Sequence, residues 1–600
     1  MKRRWLAAWL LAGGAATGIA AADAWIDRTD LPPVVAASSA EVRDRNGDLL
    51  RAYPVEDGIW RQAPDAGAAD PGFVAMLLQY EDKRFRRHSS VDPVALLRAA
   101  GQAVARGRAV SGGSTLTMQV ARLMENGPTG RWAGKLRQIR VALALERHLG
   151  EDAILALYLS HTPYDGNLEG IRAGAIAWFG KEPARLTQAE AALLIALPQS
   201  PERRRPDRHP DAARAARDRV LTRLAVQGAL TGPEAAAARR APIPRAMAPF
   251  PQLAAHLADH ARAADPTARR IDLTVDAGVQ ARMERLIAEA AAAQGGALSA
   301  ALVAVDHRTG DVLASVGSPG YDASGGWQGF NDMTRAIRSP GSTLKPLIYG
   351  MAFDQGLAHP EMLIHDGSVM IGRYAPRNFD GGFHGDVPVR EALRLSLNIP
   401  AVLLTSELGP ARVMAALRRS GADPRLQGAA PPGLAIALGG VGINLRDLVQ
   451  LFAALAQGGR GPVLRDTAAA PKRRAGRLMS AVAAWHVGDI LICVTPPTGA
   501  PEGAVAYKTG TSYGRRDAWA IGYEGRHVIG VWMGRADGAP VPGAFGAGPA
   551  APVLFEAFGR LAPGFAPPAA AAPRDLARSR RRSAAAAAPV PPARRRVRRA

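Results

Sequence analysis

The sequence predicts a multidomain protein in which a mainly α-helical domain is followed by an α/β domain, of the α+β type, built on one antiparallel sheet. Two observations support this prediction. Between about 58 and 227, apolar residues recur at helical spacing and strand signals are sparse. In the second half, strand-like runs stand at both ends with helical segments between them, which favours a sheet covered by helices. A length of 600 residues leaves room for several domains.

The N-terminus predicts a membrane anchor. Residues 1–4 contain three basic side chains, and the apolar run over 5–25 has Asp23 as its only charge. At about 1.5 Å per residue such a run nearly spans a hydrocarbon core of ~30 Å. The basic residues place 1–4 in the cytoplasm, so the anchor would sit once in the cell inner membrane with the catalytic domains in the periplasm. A signal peptide cleaved near Ala20-Ala21-Ala22 is the alternative, and it too exports the chain.

Composition divides the rest of the chain. Asn46-Gly47 between two strand-like runs predicts a hairpin, and Thr187 with Glu190 predicts a helix N-terminus. The expected boundaries are a β linker over 38–57, the helical domain over 58–227, an Ala/Pro/Arg-rich linker over 228–270, the second domain over 271–560 and a low-complexity basic tail over 561–600.

The formal charge of +22 is concentrated at the C-terminus, where residues 574–599 contribute +9. Such a run attracts polyanions, but the simplest interpretation is a disordered, solubilising tail, and it does not indicate a nucleic-acid function. The single cysteine, Cys493, excludes an internal disulfide, and its apolar surroundings predict a buried, inert thiol.

Three short motifs in the second domain predict acyl transfer. They are Ser342-Thr343-Leu344-Lys345, Ser396-Leu397-Asn398 and Lys508-Thr509-Gly510-Thr511. Ser342 would stand at a helix N-terminus as the nucleophile, with Lys345 on the same face as its base. Ser396 and Asn398 would aim two polar groups into the cleft, and Gly510 would let a substrate backbone approach the strand edge.

The remaining groups complete the predicted acyl-transfer site. Lys508 and Thr511 would hold a carboxylate, with Thr509 beside them, and the backbone N–H groups of Ser342 and Thr511 would form an oxyanion hole. Each motif alone is explained by a cap or a turn. Together, in this order, they are typical of serine enzymes that recognise penicillin, both wall-building and β-lactamase.

The first domain carries a second set of candidates. Glu81-Asp82, with Phe85 and His88 at helical spacing, puts two carboxylates beside an aromatic ring and an imidazole. A carboxylate base facing hydroxyl and cationic phosphate ligands suits sugar transfer from a lipid pyrophosphate. Taken singly, these residues are more often an exposed helix face. The expected phosphate and sugar ligands are Ser114, Thr115, Gln119, Lys135 and Arg137.

Longer stretches resemble the class A, bifunctional penicillin-binding proteins, and within them the 1C branch. The first domain resembles the family 51 glycosyltransferases, which implies a lysozyme-like fold, in EDKRFRRHSSVDPVALLRA, GGSTLTMQVARL and LTQAEAALLIALPQSPERRRP. The second resembles the transpeptidases in RAIRSPGSTLKPLIYG, RNFDGGFHGDVPVREALRLSLNIPAV, LAIALGGVGINLRDL and KTGTSYGRRDAWAIGY.

The resemblance implies what each domain does. Glu81 would be the general base that polymerises lipid II, and Ser342 would attack the D-Ala-D-Ala end of a stem peptide, with β-lactams as inhibitors. The expected partners are therefore lipid II, nascent peptidoglycan and the cytoplasmic membrane, with anionic envelope polymers at the basic tail and no nucleic acid. No metal site or cofactor is expected beyond a possible divalent cation on the lipid pyrophosphate.

The sequence departs from the family pattern at four places. Ser90 replaces a glycine, Ser160 replaces an asparagine, and Gln138 stands where a second catalytic glutamate is usual. Gln138 can form hydrogen bonds but cannot accept a proton at neutral pH. The 1C proteins carry an additional small β domain at the C-terminus, and the resemblance leads us to expect the basic tail in its place.

These departures leave alternatives open. The leading interpretation is a bifunctional peptidoglycan synthase. In a second interpretation only one of the two domains is catalytically active, and the glycosyltransferase domain is impaired by Gln138. A third makes the protein a non-catalytic scaffold that binds β-lactams. A β-lactamase is disfavoured because no recognisable glutamate would activate a deacylating water.

Overall fold

The computed structural model describes residues 17–18, 20–31, 38–55, 57–62, 69–95, 97–98, 114–125, 132–295, 298–323, 325–426, 428, 431–541 and 548–561. Within them the chain forms two compact units. The first comprises the described residues up to Glu41 and those over Ala52–Pro251, and the second comprises Val42–Arg51 and the described residues from Gln252 onward.

A hairpin near the N-terminus contributes Val42–Arg51 to the second unit. Strands β1 (Ala40–Arg43) and β2 (Leu49–Tyr53) pair with each other around Asn46-Gly47, as predicted. Gly47 has a φ of +93°, which a residue without a Cβ adopts at no steric cost.

The first unit is mainly helical. Its small sheet joins β3 (Trp60–Arg61), β4 (Pro163–Asp165) and β5 (Leu168–Glu169) in the order β3-β5-β4. The described helices include α1 (Pro71–Glu81), α2 (Leu116–Glu125), α3 (Trp132–His148), α4 (Glu151–His161), α5 (Ile171–Phe179), α6 (Gln188–Ala196), α7 (Pro210–Val226) and α8 (Gly232–Arg240).

Local signals set the ends of several of these helices. Asp70 caps α1 by accepting a hydrogen bond from the Phe73 N–H at 2.9 Å, and a proline occupies the first helical position. Thr187 and Glu190 form the predicted capping box of α6. Apolar faces of these helices then pack into one core, in which α6 is buried along almost its whole length.

The segment 228–270, which its composition predicts to be a linker, contains regular secondary structure. It contains α8, which opens on a second capping box of Thr231 and Glu234, and α9 (Ala255–Ala264). Ala235 and Ala238 of α8 are buried in the first unit. Alanine favours helix and packs closely, so an alanine-rich stretch need not be extended. The division between the units falls within this segment, after Pro251.

The second unit is built on a five-stranded antiparallel sheet, as predicted. Its order is β11-β12-β13-β7-β8, so β11 is an edge strand. Two minor sheets accompany it, one of β1 and β2 with β6, and one of β9 with β10. The strands are β6 (Arg270–Asp272), β7 (Ser299–Asp306), β8 (Val312–Val316), β9 (Leu363–Asp366), β10 (Gly385–Pro388), β11 (Ala506–Thr511), β12 (Asp517–Tyr523) and β13 (His527–Gly534).

Helices cover both faces of this sheet, which is why β7 is buried at every position. One face packs against α10 and α17, and on the other α15 approaches Gly530 so closely that a Cβ there would overlap its side chains. With α9, the described helices are α10 (Ala277–Ala293), α11 (Lys345–Asp354), α12 (Val389–Arg394), α13 (Asn398–Leu408), α14 (Pro410–Arg419), α15 (Leu445–Ala456), α16 (Ala481–Leu491) and α17 (Ala550–Leu561).

Some predictions fall outside the described residues: most of the anchor over 5–25, the tail over 562–600 and the glycines Gly112 and Gly113. None of the helices in the described part of the chain has the length and apolarity to cross a membrane. The prediction for Cys493 is wrong, since this thiol is exposed just beyond α16. Its apolar neighbours face the core while the chain turns the cysteine outward.

Candidate active sites

Glu81 stands at the C-terminal end of α1, in the wall of a cavity of about 650 Å³ in the first unit. Two amides hold its carboxylate: Gln119 Nε2 donates to one oxygen at 3.0 Å, and Gln199 Nε2 donates to the other at 3.3 Å. Glu81 is the only carboxylate among the described residues lining the cavity. It is thus oriented by neutral donors.

Asp82 and His88 lie behind this cavity and do not line it. Asp82 Oδ1 is 2.8 Å from His88 Nε2, and its Oδ2 accepts the Leu116 N–H at 2.9 Å, which fixes the start of α2. Burial opposes the charged imidazole, but the Asp82 carboxylate raises the pKa of His88 above its ordinary value. Phe85 is buried in the core. These three predicted substrate ligands therefore hold the site in place.

The predicted phosphate ligands divide into two groups. Ser114 and Gln138 line the cavity, and Lys135 donates to Ser114 Oγ at 2.5 Å. Burial, and then the charge of Arg122, lowers the pKa of Lys135. Thr115 is buried and bonds to the Ser90 carbonyl. Arg137 is 65% exposed and pairs with Glu125 at 2.8 Å, so it does not join this site.

Three arginines that the sequence analysis did not select line the cavity: Arg98, Arg122 and Arg223. Arg122 stands three residues after Gln119 on α2, and this helical spacing places both on one face. That spacing was a signal that could have identified it. Tyr158 also lines the cavity, where burial and then the Glu81 charge raise the pKa of its hydroxyl.

Two of the departures from the family pattern have local explanations. The Ser90 hydroxyl and backbone N–H both donate to Glu146, so a side chain fits at this position. Ser160 donates to the Ala156 carbonyl of its own helix at 2.6 Å and does not line the cavity. Gln138 is the one departure that lies in the cavity itself.

The second site lies in the second unit, where Ser342 sits on a 3₁₀ turn, Gly341–Leu344, that leads directly into α11. Gly341 has a φ of +53°, and a Cβ there would lie 2.4 Å from the Thr511 carbonyl oxygen. A Cβ on Gly510 would lie 2.5 Å from the Pro340 oxygen. Both glycines are needed because the nucleophile turn packs directly on strand β11.

Lys345 is completely buried beside the second motif. Its Nζ donates to the Ser396 carbonyl at 2.6 Å and to Asn398 Oδ1 at 2.7 Å, and it lies 3.3 Å from the Ser396 hydroxyl. Burial, and then the charge of Lys508, holds the pKa of Lys345 well below its ordinary value. Ser396 has a φ of +60°, a strained conformation for a serine that points to a functional constraint.

A buried polar chain behind Asn398 was missed by the sequence analysis. Asn378 Oδ1 accepts the Asn398 N–H at 2.8 Å, and its amide donates to both oxygens of Asp366, at 2.9 and 2.8 Å. Asp366 is fully buried and also bonds to His384 Nδ1 at 2.9 Å. Asn378 belongs to the quoted stretch RNFDGG, but only the fold shows what it contacts.

The third motif occupies the edge strand. Lys508 faces Ile521 of β12 and is buried, which lowers the pKa of its amine to about 7. Its Nζ donates to the Thr509 carbonyl at 2.9 Å. Thr509 and Thr511 are half-buried, with Gly510 between them. The three motifs therefore meet at one cleft, with a nucleophile, a buried amine and a strand edge.

Comparisons with known proteins identify two domains in this chain. A transglycosylase family model matches residues 47–225, and a penicillin-binding protein transpeptidase domain matches residues 300–538. Penicillin-binding protein 1C of Escherichia coli (strain K12) is 43% identical over 518 residues, which are 85% of this chain and 66% of that protein. Penicillin-binding protein 1F of Bacillus subtilis (strain 168) is 28% identical over 84% of this chain and 74% of its own length.

A solved structure supports the fold. Penicillin-binding protein 1A from Haemophilus influenzae aligns with a TM-score of 0.52 at 15% identity, over 90% of this chain and 94% of that one. The chain carries a transglycosylase domain followed by a penicillin-binding transpeptidase domain. It belongs to the class A penicillin-binding proteins.

Proposed function

We propose that this protein is a bifunctional peptidoglycan synthase, which polymerises lipid II and cross-links the product. The observation that carries the proposal is that each unit holds a complete set of reacting groups. Glu81 faces three arginines in the first, and Ser342 stands one turn from the buried amine of Lys345 in the second. Burying the amine of Lys345 lowers the stability of the fold, and a non-catalytic scaffold would have no reason to bury it.

In the first reaction, Glu81 removes the proton from the acceptor sugar hydroxyl as that oxygen attacks the anomeric carbon of the donor. The bond to pyrophosphate breaks on the opposite side, so the configuration inverts. Arg98, Arg122 and Arg223 stabilise the departing negative charge. A divalent cation on the pyrophosphate would be held mainly by substrate oxygens, because Glu81 is the single carboxylate in the described lining.

Because Gln138 stands in place of a second carboxylate, Glu81 carries out all proton transfer in this cavity. It can donate a hydrogen bond to the sugar or the phosphate, but it cannot act as a second base. The alternative, an impaired glycosyltransferase, rests on this residue alone, because Ser90 and Ser160 are accommodated without entering the cavity.

In the second reaction, the contacts of Lys345 fit a neutral amine. Its two N–H groups donate to the Ser396 carbonyl and Asn398 Oδ1, which can only accept. The remaining lone pair is then available to take the Ser342 proton as Oγ attacks the peptide carbonyl. The Ser396 hydroxyl, 3.3 Å from the same nitrogen, passes a proton to the departing D-Ala.

Lys508 and Thr511 recognise the carboxylate that ends the donor peptide, and a β-lactam enters the same site through its own carboxylate. We place both units outside the cytoplasmic membrane, on the basis of the basic and apolar N-terminal sequence. The basic tail would add weak attraction to anionic envelope polymers.

The test of the proposal is lipid II turnover by the purified full-length chain, with the glycan length and the cross-links both analysed. Two active domains give long, cross-linked strands. Penicillin labelling at Ser342 without polymer would favour the single-activity alternative, and labelling without either product would favour the scaffold.

A further inference from the structure

A contact that the acylation chemistry does not use crosses one end of the transpeptidase cleft. The guanidinium carbon of Arg515 lies 5.9 Å from the centroid of the Phe379 ring. Phe379 follows Asn378, which binds the Asn398 N–H, and Arg515 stands four residues after Thr511 at the end of β11. The pair therefore joins the segment beside the Ser-x-Asn motif to the end of β11, the strand on which the Ser342 turn packs.

The backbone holds Arg515 in this place. Its φ is +54°, an uncommon conformation for a residue with a side chain. The Arg515 N–H donates to the Ser512 carbonyl at 3.1 Å, and the Ser512 hydroxyl donates to Asp517 at 2.7 Å, which fixes the turn between β11 and β12. Strain of this kind persists where the surroundings impose it, often at ligand sites.

The same two segments display aromatic side chains to solvent. Phe379 is 77% exposed and Tyr513 is 98% exposed, whereas the motif side chains of the cleft are buried or half-buried. Asn378 anchors the Phe379 segment from below through Asp366 and the Gly382 carbonyl. Exposed aromatic surface on a fixed backbone next to a reacting centre marks a binding surface.

The chemistry of the proposed function indicates what binds there. The donor peptide occupies the strand edge and its terminal carboxylate meets Lys508. A second peptide must then bring an amine to the acyl-enzyme, and because it belongs to the same polymer it also carries a carboxylate. We propose that Arg515, Phe379 and Tyr513 form the subsite for this acceptor stem peptide. Arg515 binds its carboxylate, and the two rings pack against its backbone.

This subsite sets the fate of the acyl-enzyme. The acceptor nitrogen attacks the ester carbonyl, the bond from that carbon to Ser342 Oγ breaks, and the amine proton passes to Oγ, so that an amide and a free serine result. Water attacking the same carbon gives a carboxylate instead. A bound acceptor displaces that water. If the proposed transpeptidation holds, the subsite therefore determines the ratio of amide product to carboxylate product.

The experiment measures that ratio with the full-length chain. A D-alanyl thioester serves as donor, and the acceptor is a synthetic stem peptide with either a free C-terminal carboxylate or a carboxamide. The variants are Arg515→Ala, Arg515→Lys and Phe379→Ala, with Arg516→Ala as the matched control, since Arg516 is an exposed arginine on the same turn. Both products come from one acyl-enzyme, so the ratio does not depend on how fast that intermediate forms.

We expect Arg515→Ala to lower the ratio of amide to carboxylate product about tenfold with the carboxylate acceptor, because one charge-assisted hydrogen bond is lost. With the carboxamide acceptor the ratio should be unchanged. Arg515→Lys restores most of the ratio, Phe379→Ala lowers it with both acceptors, and Arg516→Ala matches the wild type. A ratio that Arg515→Ala leaves within about twofold, or lowers equally for both acceptors, overturns the subsite. If the wild type forms no acyl-enzyme from the donor, the proposed transpeptidation fails, and the subsite fails with it.

Discussion

The amine of Lys345 lies 2.7 Å from Oδ1 of Asn398, and no part of the Lys345 side chain reaches solvent. The carbonyl oxygen of Asn398 cannot donate, so it holds one N–H of the lysine and directs the lone pair elsewhere. Asn398 is itself held by Asn378, whose amide rests on the buried Asp366. The position of the base in the acylation site is therefore set by a chain of polar side chains.

Asn398→Ala should slow acylation by penicillin about 10- to 100-fold, because it removes a hydrogen-bond acceptor from a buried amine. Asn398→Asp should also slow it at neutral pH, since the carboxylate stabilises the protonated form of Lys345. Relative to the wild type at the same pH, the rate of this variant should recover in part as the pH rises. Stopped-flow labelling with a fluorescent penicillin measures both effects.

Asn331→Ala serves as the control for these variants, because Asn331 is exposed and its amide bonds only to Gln328 among the described residues. If Asn398→Ala acylates as fast as this control, Asn398 does not position the base.

The pH profile of acylation should reflect Lys508. Burial lowers the pKa of its amine to about 7, so in the free enzyme the positive charge that receives the carboxylate is present below that pH and lost above it. The second-order rate constant for penicillin acylation should therefore decline above about pH 7. Lys508→Arg keeps its charge throughout and should abolish the decline. A wild-type profile that stays flat from about pH 6 to 9 would refute this role.

In the first domain, Arg122→Ala should reduce lipid II polymerisation about a hundredfold, because Arg122 lines the cavity that holds Glu81. Arg137→Ala, which the sequence alone makes the stronger candidate, should cost less than about threefold, since Arg137 is exposed and paired with Glu125. Gel analysis of labelled glycan strands gives both values. Equal losses in the two variants would mean that the substrate reaches beyond the cavity.

The sequence predicted the architecture well where the signal is local. The hairpin at Asn46-Gly47, the capping box at Thr187 and the antiparallel sheet of the second unit are all present. The helices within the predicted linker over 228–270 were not foreseen, because alanine-rich composition does not distinguish an extended segment from short packed helices such as α8. Burial of Ala235 against the first unit is a tertiary property.

In the candidate sites, too, local sequence motifs were predicted correctly, whereas contacts that depend on tertiary packing were not. The three motifs of the second domain meet in one cleft, whereas Asn378 and Asp366 support Asn398 from behind, and no sequence spacing indicates this contact. In the first domain, charge type alone favoured Arg137, and only the fold shows that it turns away from Glu81. Residue type predicts chemistry, but which of several similar residues faces a cavity depends on the packing.

The central claim is that one chain carries two active catalytic domains. It is tested most directly by incubating labelled lipid II with the full-length wild type, Glu81→Gln and Ser342→Ala. The glycan strands and the cross-links are then analysed after muramidase digestion. We expect cross-linked strands from the wild type. Ser342→Ala should give strands without cross-links, and Glu81→Gln no polymer but normal penicillin labelling, with the surface variant Glu151→Gln matching the wild type. Polymer formed by Glu81→Gln, or none formed by the wild type, would contradict the account.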